Sequence, residues 1–290
     1  MPKYLDPKAD IVFKRIFGEH PLLLKSFLNA VLPLADDGQI ESLEYLASEQ
    51  VPVIPIFKRT IVDVKCTDQH GRIFIVEMQM EWITGFMQRM LFNSAAAYIK
   101  QLGKGEKYES LCPVYGLGII ADIFDPHTPA WYHHYQIVNV QNPAKQLKGL
   151  ELIFLELPKF NPTTKEEKRL RVLWLRFLSE LNEQTREVSP ELLEVSEIND
   201  ACSLAEQAAY SPGELDVYDQ YWDQVSTTRT LMSGNYTAGH AAGERKRTLE
   251  VVKNMLALNM SFQNISTITG LPLSEIETLE IGQTCPQEPT

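Results

Sequence analysis

A chain of 290 residues, 44% hydrophobic and 22% charged, can build one large domain or a core with an appendage, and its composition excludes wholesale disorder. Its 27 basic and 38 acidic side chains leave a net charge of -11, which excludes a protein that coats nucleic acid by bulk electrostatics. The excess is uneven: residues 1–160 carry 16 basic and 18 acidic groups, a net of -2, whereas residues 161–290 carry 11 and 20, a net of -9.

The chain opens with helical patterning. Asp10 is placed to cap a short helix whose apolar residues Ile11, Val12, Phe13, Ile16 and Phe17 end at Gly18. A second helix follows, with Pro21 near its start and Leu22, Leu23, Leu24, Phe27, Leu28, Val31 and Leu32 on its buried side. The period then changes. Residues 40–47, 60–67 and 72–80 read as strands, and the turn-rich Asp68-Gln69-His70-Gly71 joins the last two into an antiparallel hairpin.

Residues 86–102 return to helix, favoured by Ala95, Ala96 and Ala97 and stopped at Gly103. The apolar run 114–124 fits a buried strand, although periodicity alone does not separate strand from helix there. Residues 135–140 and 150–157 supply two more strands, so the element order predicts an α/β or α+β core with a mixed sheet.

Pro158 and Pro162 interrupt the pattern, and the remainder reads as helix. Residues 165–181 carry Leu170, Leu173, Trp174, Phe177 and Leu178 at helical spacing, which assigns the aromatic pair to a core. Residues 190–232 predict two helices starting near Pro190 and Pro212. Residues 233–239, with Gly243, predict a hinge. A final helical pair spans 249–258 and 261–279, broken at Gly270-Leu271-Pro272.

Cys66, Cys112, Cys202 and Cys285 stand far apart with no CxxC pair, which fits a reducing compartment. The opening MPKYLDPKAD is charged where a signal peptide needs an apolar run, and no stretch approaches the roughly 18 apolar residues of a membrane span. The expectation is a cytoplasmic protein with no membrane partner.

The chemistry concentrates in residues 60–80, TIVDVKCTDQHGRIFIVEMQM. Alternation along a strand puts Ile73, Ile75, Glu77 and Gln79 on one face, and Asp63 with Ile61 and Lys65. Each strand therefore carries an acidic group within an apolar run. Burying an unpaired carboxylate costs several kcal/mol, and two close together repel. A divalent cation removes both penalties, since hard oxygen ligands match it. In the alternative, Asp63 and Glu77 face solvent on a half-exposed hairpin, or pair with Lys65 and Arg89.

These residues sit in a wider series. DIVFKRIFG (residues 10–18), LLLKSFLNAVL (22–32), KRTIVDVKCTDQHGRIFIVEMQM (58–80), QRMLFNSAAAYIKQL (88–102), LPKF (157–160), WLRFL (174–178) and VVKNMLALNMSFQNISTITGLPLSEIETL (251–279) follow one another. In that order they resemble the Rpn family, recombination-promoting nucleases also described as PD-(D/E)XK nuclease family transposases. The resemblance implies a restriction-endonuclease-like α/β core, with a mixed central sheet flanked by helices, and an all-helical C-terminal region. It implies a nuclease-like core over residues 1–160, a helical extension over 161–234 and a C-terminal segment resembling a helix-turn-helix over 235–290.

The implied activity is metal-dependent cleavage of DNA phosphodiesters. Asp63 and Glu77 would hold Mg²⁺ (or Mn²⁺) together with the Met78 carbonyl, and Gln79, a residue that is itself like the Rpn family's, would stand where PD-(D/E)XK nucleases in general have lysine, to help place the attacking water. Gln79 offers hydrogen bonds without charge. Asp10, Lys14 and Arg89 are accessory candidates: Asp10 beside the metal or as a helix cap, Lys14 at a phosphate or in solvent, Arg89 on Glu77 or on a phosphate. A catalytically weak or inactive fold serving as an interaction module is the alternative function. Partners implied are DNA and a second copy joined through the helical regions.

Two further clusters are read as structural. His127, His133 and His134 with Cys112 lack metal-ligand spacing and lie in an aromatic hairpin surface. The C-terminal helices imitate helix-turn-helix spacing, but Glu275, Glu277 and Glu280 make the second helix acidic, which favours packing or protein contact over phosphate contact. Arg245, Lys246 and Arg247 form the densest basic cluster, read as a solvated face.

Overall fold

The computed structural model describes residues 4–47, 49–50, 60–61, 63–103, 105–161 and 169–284. Val62, the first residues of the helix expected from 165, and Cys285 lie outside the described residues. Contacts divide the chain into two compact units, Met1–Val225 and Ser226–Thr290.

The first unit is built on a mixed six-stranded sheet. Helix α1 (Asp10–Phe13) runs on through a wider turn at Lys14–Gly18, and α2 (Pro21–Val31) follows with proline at its first position, where no backbone N–H is needed. The strands are β1 (Leu43–Tyr45), the small pair β2 (Glu49–Gln50) and β3 (Thr60–Ile61), β4 (Val64–Asp68), β5 (Ile73–Gln79), β6 (Val114–Ile120), β7 (Tyr132–Asn139) and β8 (Asn142–Glu156). Helix α3 (Phe86–Ile99) connects β5 to β6.

The sheet order is β1-β4-β5-β6-β8-β7. The β4–β5 hairpin is antiparallel, with Val64 opposite Val76 and Lys65 opposite Ile75. Its turn closes at Gly71, whose φ of 75° is the left-handed conformation that glycine adopts without strain. Strands β5, β6 and β8 are parallel, which requires a long crossover, and α3 supplies the first.

Both faces of this sheet are covered. Val64, Cys66, Phe74, Val76, Leu117, Ile119, Ile153 and Leu155 pack beneath α1, α2 and the later helices α4 (Arg169–Glu180) and α6 (Ser196–Leu204). Trp174 is fully buried there against Phe17, Phe27 and Phe177, and its indole N–H donates to Ser26 Oγ at 3.1 Å. Ile73, Ile75, Val114, Ile120 and Phe154 pack on the other face under Phe86, Met90 and Ala97 of α3.

Two glycines of β6 set the height of α3. A Cβ at Gly116 would lie 2.6 Å from Ser94 Oγ, and one at Gly118 would lie 2.7 Å from Phe154 and 2.9 Å from Phe86. Gly118 is the register partner of Glu77, so the helix approaches the sheet beside that carboxylate.

Short α5 (Pro190–Leu193) precedes α6, and α7 (Pro212–Ala257) begins in the first unit, where the Asp6 N–H donates to the Tyr218 hydroxyl at 3.0 Å. The hinge expected at 233–239 is absent: these residues and Gly243 lie inside α7. Each helical glycine costs only about 1 kcal/mol against alanine, which the helix formers around them offset.

In the second unit, the end of α7 packs with α8 (Phe262–Thr269) and α9 (Leu273–Thr284) around Val252, Ile265 and Ile276. Ser261 caps α8, and Gly270, with φ 73°, ends it. The basic cluster is helical, and Arg245 pairs with Glu275 at 2.7 Å. No helix among the described residues is long and apolar enough to cross a membrane.

Candidate active site

Glu77 lies near the C-terminal end of β5, in an apolar environment that leaves it 3% exposed. A carboxylate so placed needs donors, and α3 provides them. Arg89 and Asn93 are one turn apart on the same helix face. Arg89 donates from Nη2 (3.1 Å) and Nε (3.3 Å) to Glu77 Oε2, and Asn93 donates from Nδ2 to Glu77 Oε1 at 2.8 Å. Arg89 Nη2 also donates to Gln79 Oε1 at 2.9 Å, while Gln79 Nε2 donates to the Glu81 carbonyl at 2.8 Å. Phe86 lies under the guanidinium, 5.0 Å from its ring centre.

Asp63 departs from the strand expected over 60–67. It is a bend residue just before β4, and its Oδ2 accepts the Met78 N–H at 2.7 Å. Burial pushes the Asp63 carboxyl up to about 6; the Met78 amide opposes the rise, and the charges of Asp10 and Glu77 add to it while Lys14 resists.

The helix-cap role considered for Asp10 does not hold. Ala9 occupies the cap position with no side-chain hydrogen bond, and Asp10 is already helical, so its carboxylate reaches Lys14 one turn on, at 2.8 Å. Both side chains are roughly half exposed, and both are close enough to act electrostatically on Asp63.

Three neighbours escaped the sequence reading. Asn93 carried a signal, being a polar residue at helical spacing from Arg89 and from the apolar Met90 and Ala97. Glu81 closes the Gln79 amide through its backbone. Tyr221 comes from α7: burial raises its phenol, and the charges of Asp10, Asp63, Asp6 and Glu81 add to the effect. Its hydroxyl contacts the Lys8 carbonyl at 3.5 Å. A chain separation of well over a hundred residues left no pattern to find it by.

Glu156 ends β8 in the same row as Gln79 and Ile120. It is fully buried and accepts from the Phe124 N–H (2.7 Å), the Asp125 N–H (3.1 Å), His133 (2.9 Å) and Lys159 (2.6 Å). Burial works against its ionisation, yet Lys159, the Asp125 amide, His133 and the Phe124 amide together hold its carboxyl below the usual range. The network fixes the loop after β6, and it accounts for His133 without a metal role; His134 pairs with Glu151 at 2.8 Å.

The carboxylate oxygens of Asp63 and Glu77 are of the hard type that suits a divalent cation, and the Glu77 charge adds to the rise of the Asp63 carboxyl. Among the described residues, however, no three His, Cys, Asp or Glu side chains are grouped to hold a metal ion. Glu77 is held instead by Arg89 and Asn93. The cavity of about 310 Å³ between α3 and the β7–β8 hairpin is lined mainly by apolar side chains, Met87, Leu91, Ile137 and Leu152 among them, with Gln88, Tyr135 and Gln136 as its polar groups and no charged side chain.

A mixed six-stranded sheet with helices on both faces, carrying Glu77 on β5 and Asp63 at the bend before β4, is an α/β fold of the restriction-endonuclease-like class. The chain belongs to the PD-(D/E)XK nuclease family transposases, whose family model matches residues 7–230. Comparison with curated proteins and with solved structures gave no match. Membership makes this a nuclease-type, transposition-associated protein.

Proposed function

We propose that this protein is a metal-dependent endodeoxyribonuclease that hydrolyses DNA phosphodiesters with Asp63, Glu77 and Gln79. The observation that carries the reading is the placing of Asp63, at the bend before β4 and hydrogen-bonded to the Met78 N–H, close enough to Glu77 on β5 for the Glu77 charge to raise its carboxyl, in a chain of a nuclease family. Asp63 and Glu77, with the Met78 carbonyl oxygen, would hold Mg²⁺ or Mn²⁺. When bound, that ion supplies positive charge to the phosphoryl oxygens and acidifies a bound water.

The side chains do the rest. Gln79 orients the attacking water by hydrogen bonds, accepting from it or donating to it, but carries no charge to the transition state. Asn93 fixes the rotamer of Glu77, and the Met78 amide fixes that of Asp63. Water attacks phosphorus, one P–O bond breaks, and the products are a phosphate monoester and a hydroxyl. The core half of the chain carries a net of only -2, so local groups such as Lys14 and Arg89 supply the attraction for DNA. We place the protein in the cytoplasm, acting on DNA, with a second copy engaged through the helical regions.

Supercoiled plasmid incubated with Mg²⁺ tests this directly. The wild type should nick or linearise it, while Asp63→Ala and Glu77→Ala should not. Equal cleavage by all three overturns the assignment. The engagement of both ends of Gln79 favours a second reading, a catalytically weak fold acting as an interaction module. That reading is preferred if Mg²⁺ binding does not depend on Glu77.

A further inference from the structure

One guanidinium occupies the groups assigned above to the metal and the water. Arg89 takes Glu77 Oε2 at 3.1 and 3.3 Å and Gln79 Oε1 at 2.9 Å, while Asn93 takes Glu77 Oε1 at 2.8 Å. Glu77 is too buried to swing into water, so a cation that uses Oε2 must meet Arg89 there. Two positive charges on one carboxylate oxygen repel at short range in a medium less polar than water. The Arg89 side chain itself is 38% exposed, so its fork can leave Glu77 without crossing the core. A planar fork of donors at the rim suits a phosphodiester oxygen as well as it suits a carboxylate.

We propose that Arg89 is a latch: it neutralises Glu77 in the metal-free protein and passes to a backbone phosphate of the bound DNA, so that DNA and divalent cation each favour binding of the other. The inference rests on the reading of Asp63 and Glu77 as metal ligands. Arg89 is then a positioning residue, acting through Glu77, and linkage requires the effect to be reciprocal. In the absence of DNA the cation must displace the guanidinium. With DNA present, Arg89 has an anionic partner elsewhere and Glu77 is released. Asn93 stays on the other oxygen and keeps the carboxylate aimed.

The test is calorimetric titration of Mg²⁺ into the full chain, comparing wild type, Arg89→Ala, Arg89→Gln, Arg89→Lys and Glu77→Ala. Each is measured alone, with a hydrolysis-resistant phosphorothioate duplex, and with an uncharged methylphosphonate duplex. Removing the charge at Arg89 should tighten Mg²⁺ binding about tenfold without DNA, as expected for losing one partly exposed, charge-assisted contact. The phosphorothioate duplex should tighten Mg²⁺ binding to the wild type and leave the Ala and Gln variants unchanged. The methylphosphonate duplex should do neither, and Arg89→Lys should return the affinity toward wild type.

Should Arg89→Ala fail to fold with Glu77 unpaired, Arg89→Gln carries the test, because it keeps a donor toward Oε2 without the charge. If the Ala and Gln variants bind Mg²⁺ no tighter than wild type while Glu77→Ala loses it, the latch is wrong and the metal site stands. If Glu77→Ala binds Mg²⁺ like wild type, the metal reading and the latch both fall.

Discussion

Asp63 offers the most quantitative check on the site, through Asp63→Asn. The substitution removes the charge but leaves an amide oxygen able to accept the Met78 N–H that Asp63 holds at 2.7 Å. The folded chain raises this carboxyl from 3.8 to about 6, first through burial, and the fold therefore disfavours its charged form. At about 1.4 kcal/mol per pH unit the difference amounts to about 3 kcal/mol, and partial exposure of the residue lowers the expectation to about 1–3 kcal/mol. The sign follows. Below the unfolded value of 3.8 both states are protonated and the cost is nil; it grows between 3.8 and about 6 and is complete above that window.

Urea unfolding in chelator at neutral pH should thus find Asp63→Asn more stable than wild type, with the gap closing as pH falls through that window. Excess Mg²⁺ should raise the wild-type midpoint more than the variant's, since binding to the folded state alone stabilises it. A variant less stable than wild type in chelator, or a gap indifferent to pH, would refute the account of Asp63 as a desolvated, charge-crowded ligand.

Three other substitutions probe the frame. Glu156→Ala strands His133, Lys159 and two amides in a buried site and should cost about 3–5 kcal/mol in chemical denaturation. Because the Glu156 carboxyl is held low, its contribution should persist above the ordinary carboxylate range and fade only as pH falls through that lowered value. Asn93→Ala removes a donor from the buried Glu77 and should cost about 1–3 kcal/mol, read from the urea midpoint at constant slope. Trp174→Ala empties the centre of the helical face and should cost about 3–5 kcal/mol, measured the same way.

The parts of the fold legible in the sequence are those where a local signal and the tertiary environment agree. The β4–β5 hairpin follows from its turn residues, and α3 from its alanines and stop. The Gly-rich stretch at 233–243 misled because glycine density marks a break only where the neighbours do not favour helix, and here Leu231, Glu244, Arg245 and Lys246 do. Strand β8 starts at Asn142, well before the apolar run at 150, because pairing with β7 carries an exposed hairpin beyond the core.

At the site, alternation put Glu77 and Gln79 on one face, and Arg89 bridges the two. It could not show the bend at Asp63, which depends on the Met78 amide, or the arrival of Tyr221 from α7. Periodicity reports which side of an element a residue occupies. It carries no information on what a distant element brings to that side.

The two glycines of β6 bear on how activity data from this family should be interpreted. Neither has a side chain to offer a substrate, yet both fix how near the Arg89 helix rides to Glu77. In a saturation scan scored by cleavage, alanine at Gly118 would therefore rank with the loss of an acidic residue, although nothing at that position meets DNA. Sensitivity alone would enlarge the apparent active centre by a strand. Only a paired readout of folding and of metal affinity separates positions that perform the chemistry from positions that make room for it.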